Sequence, residues 1–90
     1  MAIKVRIPTI LRTFTGGEKA VHGDGATLLQ VIDYVNARHP GLKERLIESE
    51  NLRRFVNVYV NDEDVRFSGG LSAATSDGDV VVVLPAVAGG

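Results

Sequence analysis

The chain ends Pro85-Ala86-Val87-Ala88-Gly89-Gly90, directly after its most apolar run, Val80-Val81-Val82-Val83-Leu84. A proline that closes a strand, followed by small residues and two glycines, makes a thin arm. Extended at about 3.3 Å per residue, six residues span about 20 Å. Glycine has no Cβ, so a backbone ending Ala88-Gly89-Gly90 can thread into a slot that an alanine methyl would obstruct. What such an arm delivers is the terminal carboxylate of Gly90. An α-carboxyl ordinarily titrates at about 3.3–3.7, so at neutral pH it is an anion and a poor electrophile. Acyl transfer from it requires a leaving group, and the AMP of ATP supplies one in a closed site where positioning provides much of the rate. The plainer reading is an inert end. Termini fray, and with glycine at about 7% of residues an adjacent pair at a given place arises by chance about once in 200.

Other reactive groups are poorly placed for chemistry. The absence of cysteine excludes a disulfide scaffold, a thiolate metal site and a cysteine nucleophile together. Asp62, Glu63 and Asp64 read as a solvated turn rather than a cation site. His22 and His39 lie far apart, with no acidic or cysteine partner at ligand spacing, so no metal site is expected. Ser68 and Ser72 have no base or oxyanion motif around them, and Gly16-Gly17 lacks the lysine and serine of a phosphate loop. The chain is expected to be no enzyme by itself and to bind no cofactor of its own.

Ninety residues with 44% apolar content suit one small packed domain. A net charge of -1, from 10 basic and 11 acidic side chains, offers nothing for general nucleic-acid or membrane-surface binding. Met1 to Arg6 alternates apolar and basic residues, unlike a signal peptide or anchor. A cytoplasmic protein is expected, with a domain over 1–84 and a C-terminal tail over 85–90.

The elements that must hold the arm follow from periodicity. Ile3, Val5 and Ile7 alternate with Lys4, Arg6 and Pro8 as in a half-buried strand, which Thr9 to Arg12 extend beyond the disturbance at Pro8. Gly16-Gly17 turns the chain, and Lys19 to His22 return it as a hairpin. Thr27 is a helix N-cap with Gln30 at capping-box spacing, and Leu28, Val31, Ile32 and Val35 form an apolar stripe. Pro40-Gly41 ends that helix. Leu42 to Ile47 add a short turn with Leu42 and Leu46 inward, and Glu48 to Asn51 form a polar crossing. Phe55 to Val60 is a strand of β-branched and aromatic residues. Asn61 to Asp64 turn it, Val65 to Phe67 make a short return strand, and Leu71 points inward. After the Asp77-Gly78 turn, Asp79 to Leu84 is the last strand. The order predicts an α+β domain, a mixed four- to five-stranded sheet packed on one main helix.

One sheet face must then stay open. With Val56, Val58 and Val60 toward the helix, alternation puts Phe55, Asn57 and Tyr59 on the other face. Four consecutive valines hide the phase of the last strand. An apolar open face beside the arm is a candidate partner-docking face, the alternatives being an ordinary half-exposed sheet or a self-association surface.

Hairpin, single long helix, later strands and a Gly-Gly end resemble the ubiquitin-like β-grasp pattern along the whole chain. Phe55 to Phe67, Asp77-Gly78-Asp79 and Leu84 to Gly90 resemble the prokaryotic sulfur-carrier proteins, which include the small subunit of molybdopterin synthase and the sulfur carrier of thiamine synthesis. Within that family, Ile7 to Arg12 and Thr15-Gly16-Gly17 resemble the carriers of actinobacterial cysteine synthesis, while the stretch from Leu42 to Asn51 is less alike. The resemblance implies that an E1-like, ATP-dependent enzyme adenylates the Gly90 carboxylate and that sulfur from a separate source makes it a thiocarboxylate. A pyridoxal-phosphate-dependent synthase would use that sulfur to build cysteine from O-phosphoserine, and a zinc metalloprotease would release the cysteine. The rival readings are a molybdopterin-synthase small subunit, a ubiquitin-like modifier joined to lysines through Gly90, and a non-covalent binding module.

Overall fold

A computed structural model describes residues 2–54 and 56–85. Strands β1 (Ile3–Arg6) and β2 (Ala20–Gly23) form the opening hairpin, and helix α1 (Leu28–Arg38) crosses the sheet. A short helix α2 (Leu42–Leu46) leads into a ribbon of β3 (Ile47–Glu48) and β4 (Asn51–Leu52). Strands β5 (Val56–Val60), β6 (Glu63–Asp64) and β7 (Val80–Pro85) complete the domain. The five-stranded sheet runs β2-β1-β7-β5-β6, with β7 parallel to β1 and antiparallel to β5. The last strand of the chain is therefore the central one.

Helix α1 begins where its sequence signals it. Thr27 Oγ1 accepts from the Gln30 amide at 3.3 Å, while Gln30 Oε1 accepts from the Ala26 amide at 2.8 Å, one residue earlier than a standard capping box. Its stripe of Leu28, Val31, Ile32 and Val35 is buried against Ile3, Val5, Val58, Val81 and Val83 of the sheet. Gly23 sits where the helix comes closest to β2, and a Cβ there would lie 2.9 Å from both Val31 Cγ1 and Val5 Cγ2. Leu42 and Leu46 close one end of the core, and Leu71 packs on its margin.

The register settles the valine phase. Val81 and Val83 face α1, whereas Val80, Val82 and Leu84 line the open face. Asn57 sits opposite Leu84 and Tyr59 opposite Val82, as strand alternation required.

Three local expectations fail for identifiable reasons. Thr9–Thr15 is a 3-10 helix, not an extension of β1. Pro8 in extended conformation is its N-cap, and the Pro8 carbonyl accepts from the Leu11 amide at 2.9 Å. Val65–Phe67 is likewise a 3-10 turn, because Asp64 Oδ1 caps the Arg66 amide at 2.9 Å and bends the chain. The return strand is Glu63–Asp64 instead, since Asn61 (φ 50) and Asp62 (φ 70) alone make the two-residue turn. The polar crossing after Ile47 is the β3-β4 ribbon, turned by Ser49 (φ 50) and Glu50 (φ 67).

Candidate functional site

Because β7 is central, its last described residue, Pro85, is flanked on both sides by other elements. Pro85 is paired with Val56 on the β5 side. On the β1 side a groove runs along Leu84–Pro85 between Arg6, Pro8, Thr9, Ile10, Arg12 and Lys19. On the β5 side a second groove is walled by Thr13, Phe14, Arg45, Glu48, Arg53, Arg54 and Val56, and it shares Pro8, Ile10, Leu84 and Pro85 with the first. Both are open furrows at the root of the tail.

The rim is apolar at its centre and basic around it. Ile10 is 67% exposed and Leu84 45%, and both line both grooves. The 3-10 helix is what brings Ile10 here. Its buried partner Leu11 anchors it to the core, so Ile10 points outward beside Leu84. Several cations are held in place. Arg12 Nε donates to the Ile7 carbonyl at 3.2 Å, Arg53 Nε donates to the Glu44 carbonyl at 2.8 Å, and the Arg45 guanidinium lies 5.5 Å from the Phe14 ring centre. Arg53 Nη1 also pairs with Glu48 at 3.2 Å.

Ala88, Gly89 and Gly90, expected to enter partner sites, lie outside the described residues, as does Phe55 of the candidate docking face. Asn57 and Tyr59 are half-buried on the open face, in line with Leu84 and Val82. The Asn57 side chain is already engaged, since its Oδ1 accepts from Arg66 Nη1. Ile10 and the arginines around it had no signal in the sequence as a set. They come from β1, the 3-10 helix, α2 and the loop before β5, and only the fold assembles them.

The remaining polar candidates serve the fold. Glu63 Oε1 accepts from Ser68 Oγ at 2.6 Å, and Asp64 caps the 3-10 turn. His22 packs edge-on against Tyr34, with ring centres 5.6 Å apart. His39 is the C-cap residue of α1. Among the described residues no group of three or more His, Asp or Glu side chains could hold a metal ion. No helix among them is long and apolar enough to cross a membrane.

A five-stranded mixed sheet packed on one main helix, with its central strand β7 parallel to β1, defines a ubiquitin-like β-grasp protein. The chain belongs to the ThiS family, whose profile matches residues 5–90. It is 57% identical over 93 aligned positions to the sulfur carrier protein CysO of Mycobacterium tuberculosis, with both chains covered completely. It superposes on a chain of the crystal structure of the Amycolatopsis orientalis BexX/CysO complex with a TM-score of 0.95 and 65% identity, over 99% of this chain and 100% of that one. A further relative, small archaeal modifier protein 3 of Haloferax volcanii, is 39% identical over 77 residues, 82% of this chain and 84% of the relative.

Proposed function

We propose that this chain is a cytoplasmic sulfur carrier whose Gly90 carboxylate is adenylated by an E1-like enzyme and converted to a thiocarboxylate. Ala88, Gly89 and Gly90 thread into partner active sites. The carried sulfur goes to cysteine synthesis from O-phosphoserine, on a pyridoxal-phosphate-dependent synthase, and a zinc metalloprotease then frees the cysteine and restores the tail. ATP and the sulfur source belong to those partners, and this chain contributes no catalytic residue.

The observation that carries the reading is the 57% identity to CysO along the complete chain, together with a family match that runs to residue 90. The chemistry agrees with it. Adenylation breaks the α–β phosphoanhydride of ATP, releases pyrophosphate and leaves an acyl phosphate whose leaving group is AMP. A sulfur nucleophile displaces AMP, and the product is a softer nucleophile than a carboxylate that stays attached to protein. Gly90 carries the reacting atoms, and the described domain is the handle that partners grip.

A second reading has its own support. The 39% identity to an archaeal modifier protein favours attachment of Gly90 to lysines of other proteins. Intact-mass measurement after incubation with ATP, sulfide and an actinobacterial extract separates the two. Replacement of one oxygen by sulfur, followed by a cysteine-sized adduct, is the expected result. Covalent ladders on other proteins would favour the modifier, and a sulfur that passes to molybdopterin would redirect the pathway. Deleting Gly90 should abolish the mass change while leaving the unfolding midpoint in place. A truncated chain that still gains sulfur would refute the assignment of Gly90.

A further inference from the structure

We infer that the two grooves at the end of β7 form a basic collar, built to dock an acidic rim on the enzyme that takes in Gly90. The inference rests on the reading of Gly90 as the working end and deepens it by naming the partner's surface chemistry.

Charge in this protein is segregated along β7. Arg6, Arg12, Lys19, Arg45, Arg53 and Arg54 line the grooves, and among the described residues Glu48 is the sole carboxylate with them. Six cations against one carboxylate leave the collar five positive. The other four cations against ten carboxylates leave the remainder six negative. Asp77 and Asp79 stand just before β7, at the far end of the strand from Pro85, and Asn61 joins Asp79 there at 2.8 Å. A chain that is nearly neutral overall thus gathers six of its ten basic side chains around the Pro85 end of β7.

Reach fixes what must meet that end. Five residues follow Pro85, and fully extended they span at most about 18 Å. An enzyme that holds the Gly90 carboxylate at its reacting centre has its entrance within that distance of Pro85. Its entrance rim consequently lies over Ile10, Leu84 and the collar. A rim rich in Lys or Arg would meet like charge, and juxtaposed like charges cost several kcal/mol. A rim of Asp and Glu is attracted beyond contact range, because the Debye length is about 10 Å at 0.1 M salt. The tail's own end is an anion and needs a cationic floor. The partner that fits has an acidic rim around a slot with a positive floor, and an apolar spot that covers Ile10 and Leu84, the centre-and-rim arrangement of specific interfaces. The collar steers and orients, and the tail reacts.

The rate of Gly90 sulfur loading, read by intact mass at limiting activating enzyme, tests this on the full chain. In the unaltered protein the rate should fall about tenfold or more between about 0.02 and 0.3 M salt. The double variant Arg45→Glu/Arg54→Glu should load about tenfold or more slowly at low salt and lose the salt dependence. Arg38→Glu/Lys43→Glu changes net charge equally at two residues that line neither groove, so it should load at the original rate. Circular dichroism melts confirm that both variants fold. Equal rates for the two double variants would overturn the collar and leave the Gly90 reading standing. No loading of the unaltered protein would instead refute the Gly90 reading and the collar with it. An independent readout is amide NMR titration with a deca-glutamate peptide, whose shifts should concentrate on the six collar residues. Shifts spread evenly over all lysines and arginines count against the proposal. So does tight single-stranded RNA binding at about 0.15 M salt that the collar variant loses while its loading rate is unchanged.

Discussion

At the scale of single side chains, Arg66 shows how one exposed residue sets the shape of the tail's surroundings. Its Nη2 donates to the Val56 carbonyl at 2.6 Å and the Arg53 carbonyl at 3.3 Å, and its Nη1 donates to Asn57 Oδ1. These acceptors belong to the segment that carries Arg53, Arg54 and the start of β5, one wall of the exit groove. The planar fork suits this task, because a lysine presents one point charge where arginine reaches several acceptors at fixed angles. Bonds from charged donors contribute about 1.5–3 kcal/mol when shielded, and exposure reduces that here. Arg66→Ala should therefore destabilise the domain by about 1–2 kcal/mol in urea titration, with Arg66→Lys recovering less than half of the loss. An unchanged midpoint for Arg66→Ala would show the fork to be incidental. None of this was visible in the sequence, where Arg66 reads as an ordinary polar position of a short strand. The Gly89-Gly90 pair drew the proposal of a working end because its residue types are distinctive and adjacent in the sequence.

At the scale of elements, legibility followed the strength of the local signal. Helix α1 was legible from its cap, its apolar stripe and the Pro40-Gly41 stop, all of which act within a few residues. The central strands were legible as strands, but four valines in a row carry no phase, and only the pairing of Lys4, Val5 and Arg6 with Val80, Val81 and Val82 fixes it. Turns were read less well. Asn61 and Asp62 tolerate the left-handed region, so a turn was expected there, although a longer one. Ser49 and Glu50 are poor residues for positive φ, and the β3-β4 ribbon they join was consequently invisible. That mismatch makes a prediction. A left-handed residue with a Cβ costs about 1–2 kcal/mol, and the second position of this hairpin turn favours glycine. Glu50→Gly should raise stability by about 0.5–1 kcal/mol after the added entropy of the unfolded chain is deducted. A lower urea midpoint for Glu50→Gly would mean that the Glu50 side chain contributes more than its backbone strain removes.

At the scale of the whole molecule, the buried core runs from Ile3 to Val83 and ends just before the exit at Pro85. The domain completes its packing with β7, the strand that leads into the C-terminal residues, so the element that closes the core is also the one on which the proposed delivery depends. The collar, by contrast, could not be read from the sequence, because its cations are spread from position 6 to position 54 and the net charge of the chain hides them. Crowding five uncompensated positive charges at one end works against folding, since self-repulsion is relieved when the chain expands. A surface selected for docking rather than stability should therefore improve in stability when it is altered. Arg54 is exposed and stands beside Arg53 and across the groove from Arg45. Arg54→Glu removes one repulsive partner and supplies an attractive one, for a gain of about 0.3–1 kcal/mol at low salt. Screening at about 0.3 M salt should erase most of that gain, because the Debye length shortens as salt rises and the groups are exposed. The same substitution should slow sulfur loading, so stability and delivery move in opposite directions at this position. A loss of stability at low salt, or a gain that salt does not reduce, would show that the collar charges are not in mutual repulsion.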